Sequence, residues 1–209
     1  MTTPADQDPE NQQDERRFSA ALAGFRGDES AARRLLGDGS PTVRAAAFGA
    51  LVRMERLEAA DLATAAADPE PAVRRTVCEL AGRVGSLPIH ALLSDTDPAV
   101  REAAAFAAGE TDAVEAVELL CEIAAHDSDP LCRESAVAAL GAIGDERGRA
   151  VLLGALGDVA QIRRRAVIAL SGFDGDDVEA ALRSHLEDRD WQVRQAVEDL
   201  LDVNRAKDR

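Results

Sequence analysis

The sequence predicts an all-α protein made of stacked helix pairs, and three observations carry that prediction. A short signature containing Arg, and usually Pro, recurs at intervals of 27 to 32 residues. Upstream of each copy stand apolar residues spaced four apart, the period of one helix face. The 209 residues are 46% hydrophobic yet only 3% aromatic. Ala, Leu and Val fill the apolar fraction, which favours closely packed helices over an aromatic-rich β-sandwich.

The copies read GSPTVRAA, PEPAVRRT, TDPAVREA, SDPLCRES, VAQIRRRA and RDWQVRQA. Their aligned arginines are Arg44, Arg74, Arg101, Arg133, Arg163 and Arg194, with spacings of 30, 27, 32, 30 and 31. Self-similarity at such a period marks a repeat architecture. Pro41, Pro71, Pro98 and Pro130 stand three residues before their arginines, where the first turn of a helix needs no N–H partner. Ser40, Asp97, Asp129 and Asp190 precede that turn and are placed to cap it. Val43, Val73, Val100, Cys132, Ile162 and Val193 form a row expected to be buried. Gly82, Gly109, Gly141 and Gly172 lie near the expected helix ends and read as terminators.

A second helix precedes each of these. Ala32, Leu62, Ile89, Cys121, Val151 and Leu182 form one row. Leu36, Ala66, Leu93, Ala125, Ala155 and Leu186 form another, four residues later. Two antiparallel helices cannot bury both apolar stripes alone, and stacking the pairs solves the problem, giving an α-solenoid of about six two-helix units. Phe18, Leu22 and Phe25 share one helical face and are expected to cover the first unit. Glu198, Asp199 and Asp202 turn the last one polar. Residues 1–13 are expected to be a disordered acidic tail, 14–204 the repeat array and 205–209 a C-terminal tail.

The stretches DTDPAVREAAAFAAG and DSDPLCRESAVAALGAIGD resemble HEAT repeats, in the short variety named after phycobilisome lyases, and the resemblance extends from about Asp14 to Asn204. It implies a right-handed, armadillo-like superhelix. It also implies an inter-repeat ladder in which Asp38, Asp68, Asp95, Asp127 and Asp188, six residues before their arginines, pair with the Arg row. Asp158 is offset by one. The fifth repeat departs most from the pattern, with Val159 and Ala160 in place of the acid and proline, so a looser turn is expected there.

Few residues suggest chemistry. Cys121, His126 and Cys132 are close in sequence, but both cysteines fall in rows that are apolar elsewhere, as does Cys78, and buried cysteine behaves as a small hydrophobe. The acidic run Asp174 to Asp177 lacks the central Gly and closing Glu of a calcium loop. His90 is expected on the surface and His185 beside a buried row. Trp191 is expected to pack over the last turn. No nucleophile, base and orienting acid form a recognisable set, and no Gly-rich phosphate cradle occurs. Neither a cofactor nor a metal is expected. Of Arg163, Arg164 and Arg165, the first belongs to the ladder row.

The net charge of −15 disfavours nucleic acid and anionic lipid as partners. No apolar run approaches the length of a membrane span. The N-terminus lacks the basic start and apolar stretch of a secretory signal, so a cytoplasmic location is expected. Lys207 is the only lysine, and that bias towards Arg suggests a GC-rich genome.

In a HEAT-like array the concave surface comes from the second helix of each pair. Positions one and five after the aligned Arg turn away from the buried face. They include Arg75, Glu102, Glu134 and Arg164 in one row and Glu79, Phe106 and Ile168 in the other. The expected function is a non-enzymatic scaffold or adaptor that binds a protein or peptide on these residues, as a monomer or weak homodimer. The alternative, carried by the resemblance alone, is a bilin-lyase-like accessory enzyme or chaperone acting on a modified partner protein.

Overall fold

A computed structural model describes residues 9–84 and 87–207 of the chain. It contains fourteen α-helices and four short 3₁₀ turns, with no strand among the described residues. The helices divide between two compact units, residues 1–88 and 89–209.

The first unit holds α1 (Pro9–Arg26), α2 (Glu29–Leu35), α3 (Pro41–Met54), α4 (Ala59–Ala66), α5 (Pro71–Glu79) and α6 (Ala81–Val84). α2 with α3, and α4 with α5, are the first two helix pairs, and α1 packs against α3 as an extra leading helix. α1 begins at Pro9, so residues 9–13 belong to a helix and not to a disordered tail; residues 1–8 lie outside the described residues. α3 turns Val43, Ala47, Phe48 and Leu51 into the core.

Phe18 and Phe25 do not cover the first repeat, because they are 68% and 69% exposed. The buried face of α1 is instead small: Ala20, Ala23 and Gly24. The reason is a close helix approach. A Cβ added at Gly24 would lie 2.9 Å from the Ala50 Cα, so large side chains on this face would hold the helices apart.

The second unit holds α7 (Ile89–Leu93), α8 (Pro98–Glu110), α9 (Val117–His126), α10 (Pro130–Ile143), α11 (Arg149–Ala155), α12 (Ala160–Ala169), α13 (Asp176–Ser184) and α14 (Trp191–Lys207). They form four successive pairs, with α8, α10, α12 and α14 packed in sequence. α14 continues through Lys207, so residues 205–207, expected as a tail, are helical.

Each signature builds its helix start as physical chemistry requires, except that Ser40, Glu70 and Val159 make no side-chain cap bond. Pro98 and Pro130 open α8 and α10, and the caps Asp97 and Asp129 accept from the N–H of Ala99 and Leu131 at 2.9 and 2.8 Å. Asp190 likewise accepts from the Gln192 N–H at 2.9 Å. Ser40 makes no cap bond, because its hydroxyl pairs with that of Thr42 at 3.0 Å. Val159 has no side-chain acceptor, so α12 starts without a side-chain cap.

Two of the glycines read as terminators have another role in this unit. Gly109 and Gly141 lie within α8 and α10, where an added Cβ would sit 3.0 Å from the Ala139 Cα and 2.6 Å from the Ala169 Cα. They permit close contact between successive second helices. The left-handed cap that ends α10 belongs to Gly144, at φ 67°.

In the first helices the apolar rows shift locally. Leu120, Ile123 and Ala124 are buried in α9, while Cys121 is half-buried and Ala125 exposed. A 3₁₀ turn at 114–116 leads into α9 and, at three residues per turn, moves the buried face by about one residue. Leu186 is exposed in the 3₁₀ turn that follows α13.

Candidate functional site

The aligned arginines form a repeated construction between neighbouring helix pairs. In each, one Nη1 donates to a carbonyl at the start of its own turn: Arg44 to Asp38, Arg101 to Asp95, Arg133 to Asp127, Arg163 to Asp158, and Arg194 to Asp188, at 2.7–2.9 Å. The Nε and Nη2 edge forks onto the carboxylate of the next repeat. Arg44 takes Asp68 at 2.7 and 2.7 Å, Arg101 takes Asp127 at 2.7 and 2.9 Å, Arg133 takes Asp158 at 2.8 and 3.0 Å, and Arg163 takes Asp188 at 2.9 and 2.6 Å. Such bidentate pairs fix geometry as well as adding energy.

The same carboxylates tie the turns. Asp38, Asp68, Asp95, Asp127 and Asp188 each accept from the N–H two residues on, at 2.8–2.9 Å. This is the local turn bond that Asp offers. Asp158 accepts instead from the adjacent Val159 N–H, which absorbs the one-residue offset of the fifth repeat. In the octapeptide beginning at Asp95, the first acid thus ties the turn, the second caps α8, Val100 enters the core and Arg101 reaches the next repeat.

The electrostatics follow from this geometry. The hydrogen-bonded guanidiniums hold Asp68, Asp127, Asp158 and Asp188 below the usual carboxylate range, against a smaller opposing effect of burial. Arg74 also donates to the carbonyl of its own turn, that of Asp68, at 2.7 Å. Arg194, in the last repeat, has no described carboxylate on its outer edge.

One rung has no signature of its own in the sequence. Arg16, on α1, donates from Nε to Asp38 at 2.9 Å, so α1 acts as the second helix of a preceding layer. The signal was a distance: Arg16 stands 28 residues before Arg44, inside the range of repeat spacings.

The outward rows of the second helices are the candidate binding face. Within the second unit, Phe106 on α8 is 60% exposed and Ile168 on α12 is 52% exposed. Between them on α10 lies Ala138, half-buried. Glu102, Glu134 and Arg164 are also half-buried on their helices. Glu134 is engaged, accepting from Gln161 and, at 3.3 Å, from Arg165 Nη2. Arg75 and Glu79 stand apart on α5 of the first unit, paired with each other at 3.0 Å and exposed.

The remaining candidates lie apart from this face. Cys132 donates to the Pro98 carbonyl at 3.2 Å, and Cys121 points to the Arg147 carbonyl at 3.8 Å, so the two thiols face different neighbours. No three His, Cys, Asp or Glu side chains converge as a metal site among the described residues. His185 sets Nδ1 2.8 Å from the Ala181 carbonyl and Nε2 3.1 Å from that of Leu156, which fixes its ring against the backbone. His90 is exposed. Trp191 is 64% exposed and does not pack over the last turn, because at the first position of α14 its side chain projects outward.

Stacked helix pairs, an Arg–Asp ladder and an outward row of second helices define the class as that of α-solenoid repeat proteins. Residues 86–171 match the family model for HEAT repeats. Among solved structures, YibA of Escherichia coli is similar, with a TM-score of 0.61 and 17% identity over 94% of this chain and 75% of that one. A designed armadillo repeat protein in complex with the peptide (KR)4 is similar at a TM-score of 0.51 and 16% identity, over 95% of each chain. No curated protein matches the chain. No described helix is long and apolar enough to cross a membrane.

Proposed function

We propose that this protein is a non-enzymatic scaffold that binds an extended protein segment across the second helices of its repeats. The observation that carries the reading is the exposure of Phe106 and Ile168, both on outward rows of packed helices. Large apolar side chains held in the open on a rigid framework are the usual anchors of an interface. A fold of this type holds a peptide in the designed armadillo repeat complex.

Geometry constrains the partner. Neighbouring helices pack about 8–10 Å apart, so α8 and α12, separated by α10, present their anchors about 16–20 Å from each other. An extended chain covers that distance in about five or six residues. The segment therefore carries two apolar side chains at that separation. Glu102, Glu134 and Arg164 flank the path with mixed charge, which sets register more than long-range attraction. Arg75 and Glu79 supply a like surface on the first unit. The alternative of an accessory enzyme or chaperone has no constellation of described residues to support it.

The test is capture of partners from native extract by the full chain and by a Phe106→Ser, Ile168→Ser double variant. Both positions are exposed, so helix content and melting temperature stay near those of the parent. The variant is expected to lose at least about thirtyfold in affinity, the equivalent of 2 kcal/mol at a true hot spot. Undiminished capture by a folded double variant refutes the reading.

A further inference from the structure

Among the described residues, every half-buried or buried charged side chain makes a hydrogen bond or ion pair except two, Glu102 on α8 and Arg164 on α12. Both stand on the outward rows of the second unit. A charge drawn partly out of water without a partner costs free energy, which a group of opposite sign recovers.

Their isolation has a cause in the sequence. Glu134 on α10, one residue after its ladder arginine, accepts from Arg165 on α12, two residues after its own, at 3.3 Å. The equivalent positions elsewhere are Glu102 with Ser135, and Arg164 with Ala196. Neither offers an opposite charge, so the ion pair forms in the middle of the face and is missing on both sides of it. α10 lies between Glu102 and Arg164 and keeps them apart.

The second helices stack in step. An added Cβ at Gly109, eight residues after Arg101, meets Ala139, six after Arg133; Gly141 and Ala169 repeat that relation. The outward rows therefore run straight across α8, α10 and α12. Glu102 and Phe106 make an acidic and apolar end, to which exposed Glu110 adds charge one turn further on. Arg164 and Ile168 make a basic and apolar end. Beyond them on α14, Gln195 and Asp199 are hydrogen-bonded to each other at 2.9 Å.

Resting on the binding face proposed above, we infer that the segment it holds is bipolar: a basic side chain pairs with Glu102 and an acidic one with Arg164, each beside an apolar residue seated on Phe106 or Ile168. The net charge of −15 would by itself favour an all-basic segment, but a second basic residue would meet Arg164. Extended backbone lying flat across the helices turns successive side chains to opposite edges. One edge then holds the two charges and the other the two apolar residues. Each matched pair is about six residues apart, enough to span about 20 Å. The motif is a basic–apolar pair and an acidic–apolar pair with four residues between them, in either chain direction.

Three fluorescently labelled octapeptides, KLSTSTEL, KLSTSTKL and ELSTSTEL, titrated into the full chain at low salt and followed by anisotropy, supply the test. The parent binds KLSTSTEL at least about tenfold more tightly than either of the others. Arg164→Glu makes both ends acidic and moves the preference to KLSTSTKL. Glu102→Lys makes both ends basic and moves it to ELSTSTEL. Both variants are checked for native helix content, and the three peptides on the parent decide the matter even where a variant misfolds. No measurable binding, equal binding of the three, a parent that prefers KLSTSTKL, or a preference that neither folded variant moves overturns the inference. Capture of native partners that needs Phe106 and Ile168 but survives both charge variants overturns it too, and leaves the binding face standing. Capture that does not need those two residues removes the face itself.

Discussion

Arg163 and Arg164 are adjacent on α12, and the structure gives them opposite duties. Arg163 forks onto Asp188 at 2.9 and 2.6 Å and donates to the Asp158 carbonyl at 2.8 Å. The side chains of Arg163 and Asp188 are only 5% and 7% exposed. Replacing Arg163 by Ala leaves the Asp188 carboxylate in that seam with the Asp190 N–H as its described backbone partner, at 2.8 Å. Breaking a buried pair from one side costs about 3–5 kcal/mol. The ladder runs along inter-repeat turns and not through the core, so the lower end applies, about 3 kcal/mol. For a chain of this size each kcal/mol moves the melting temperature by about 2–4 °C, so Arg163→Ala lowers it by about 6–12 °C. Arg164→Ala removes the same group from the same helix at a half-buried position outside the ladder, and costs about 1 kcal/mol, the ordinary effect of a point change. The difference between the two variants in a thermal melt therefore isolates the ladder. A difference below about 2 °C refutes the reasoning.

Acid provides an independent check on the same rung. The Arg163 hydrogen bonds hold the Asp188 carboxyl below its ordinary value of 3.8, outweighing the opposite effect of burial. Its folded pKa is lower than its unfolded one, so its stabilisation is complete above about pH 4 and is lost as pH falls through the folded value. Asp68, Asp127 and Asp158 are depressed for the same reason. The stability gap between the parent and Arg163→Ala closes over that acidic window.

Two further outcomes follow from packing. Gly141→Ala destabilises, because the new methyl meets the Ala169 backbone at 2.6 Å, whereas Gly49→Ala, with nothing within 4 Å, gains about 0.5–1 kcal/mol from helix propensity; equal melting temperatures contradict the close-packing role. Thiol labelling at pH 8 modifies half-buried Cys121 well before Cys132, whose thiol is buried and pushed up to about 11 by desolvation; a Cys132 that reacts first, read by peptide mass, contradicts its placement.

Much of the fold is legible in the sequence because it is local and repeated. Proline in a first turn, an acid before it and an apolar residue before the Arg are each determined by the backbone of one helix, so six copies average out the exceptions. Phe106 and Ile168 could be placed outward by counting along a helix from Arg101 and Arg163, since helical phase converts sequence distance into direction.

What needed the tertiary structure is every relation that depends on how closely two helices approach. Sequence spacing places Arg133 six residues after Asp127, but only the packed repeats show that it bonds the carbonyl of Asp127 and the carboxylate of Asp158. Gly109 and Gly141 look like terminators until the neighbouring helices occupy the space of their missing Cβ atoms. Phe18 and Phe25 look like core by hydrophobicity. α1 turns them outward because Ala20, Ala23 and Gly24 allow the contact with α3 that two phenylalanines would block. Hydrophobic pattern determined that α1 has two faces; steric fit between backbones determined which face is buried.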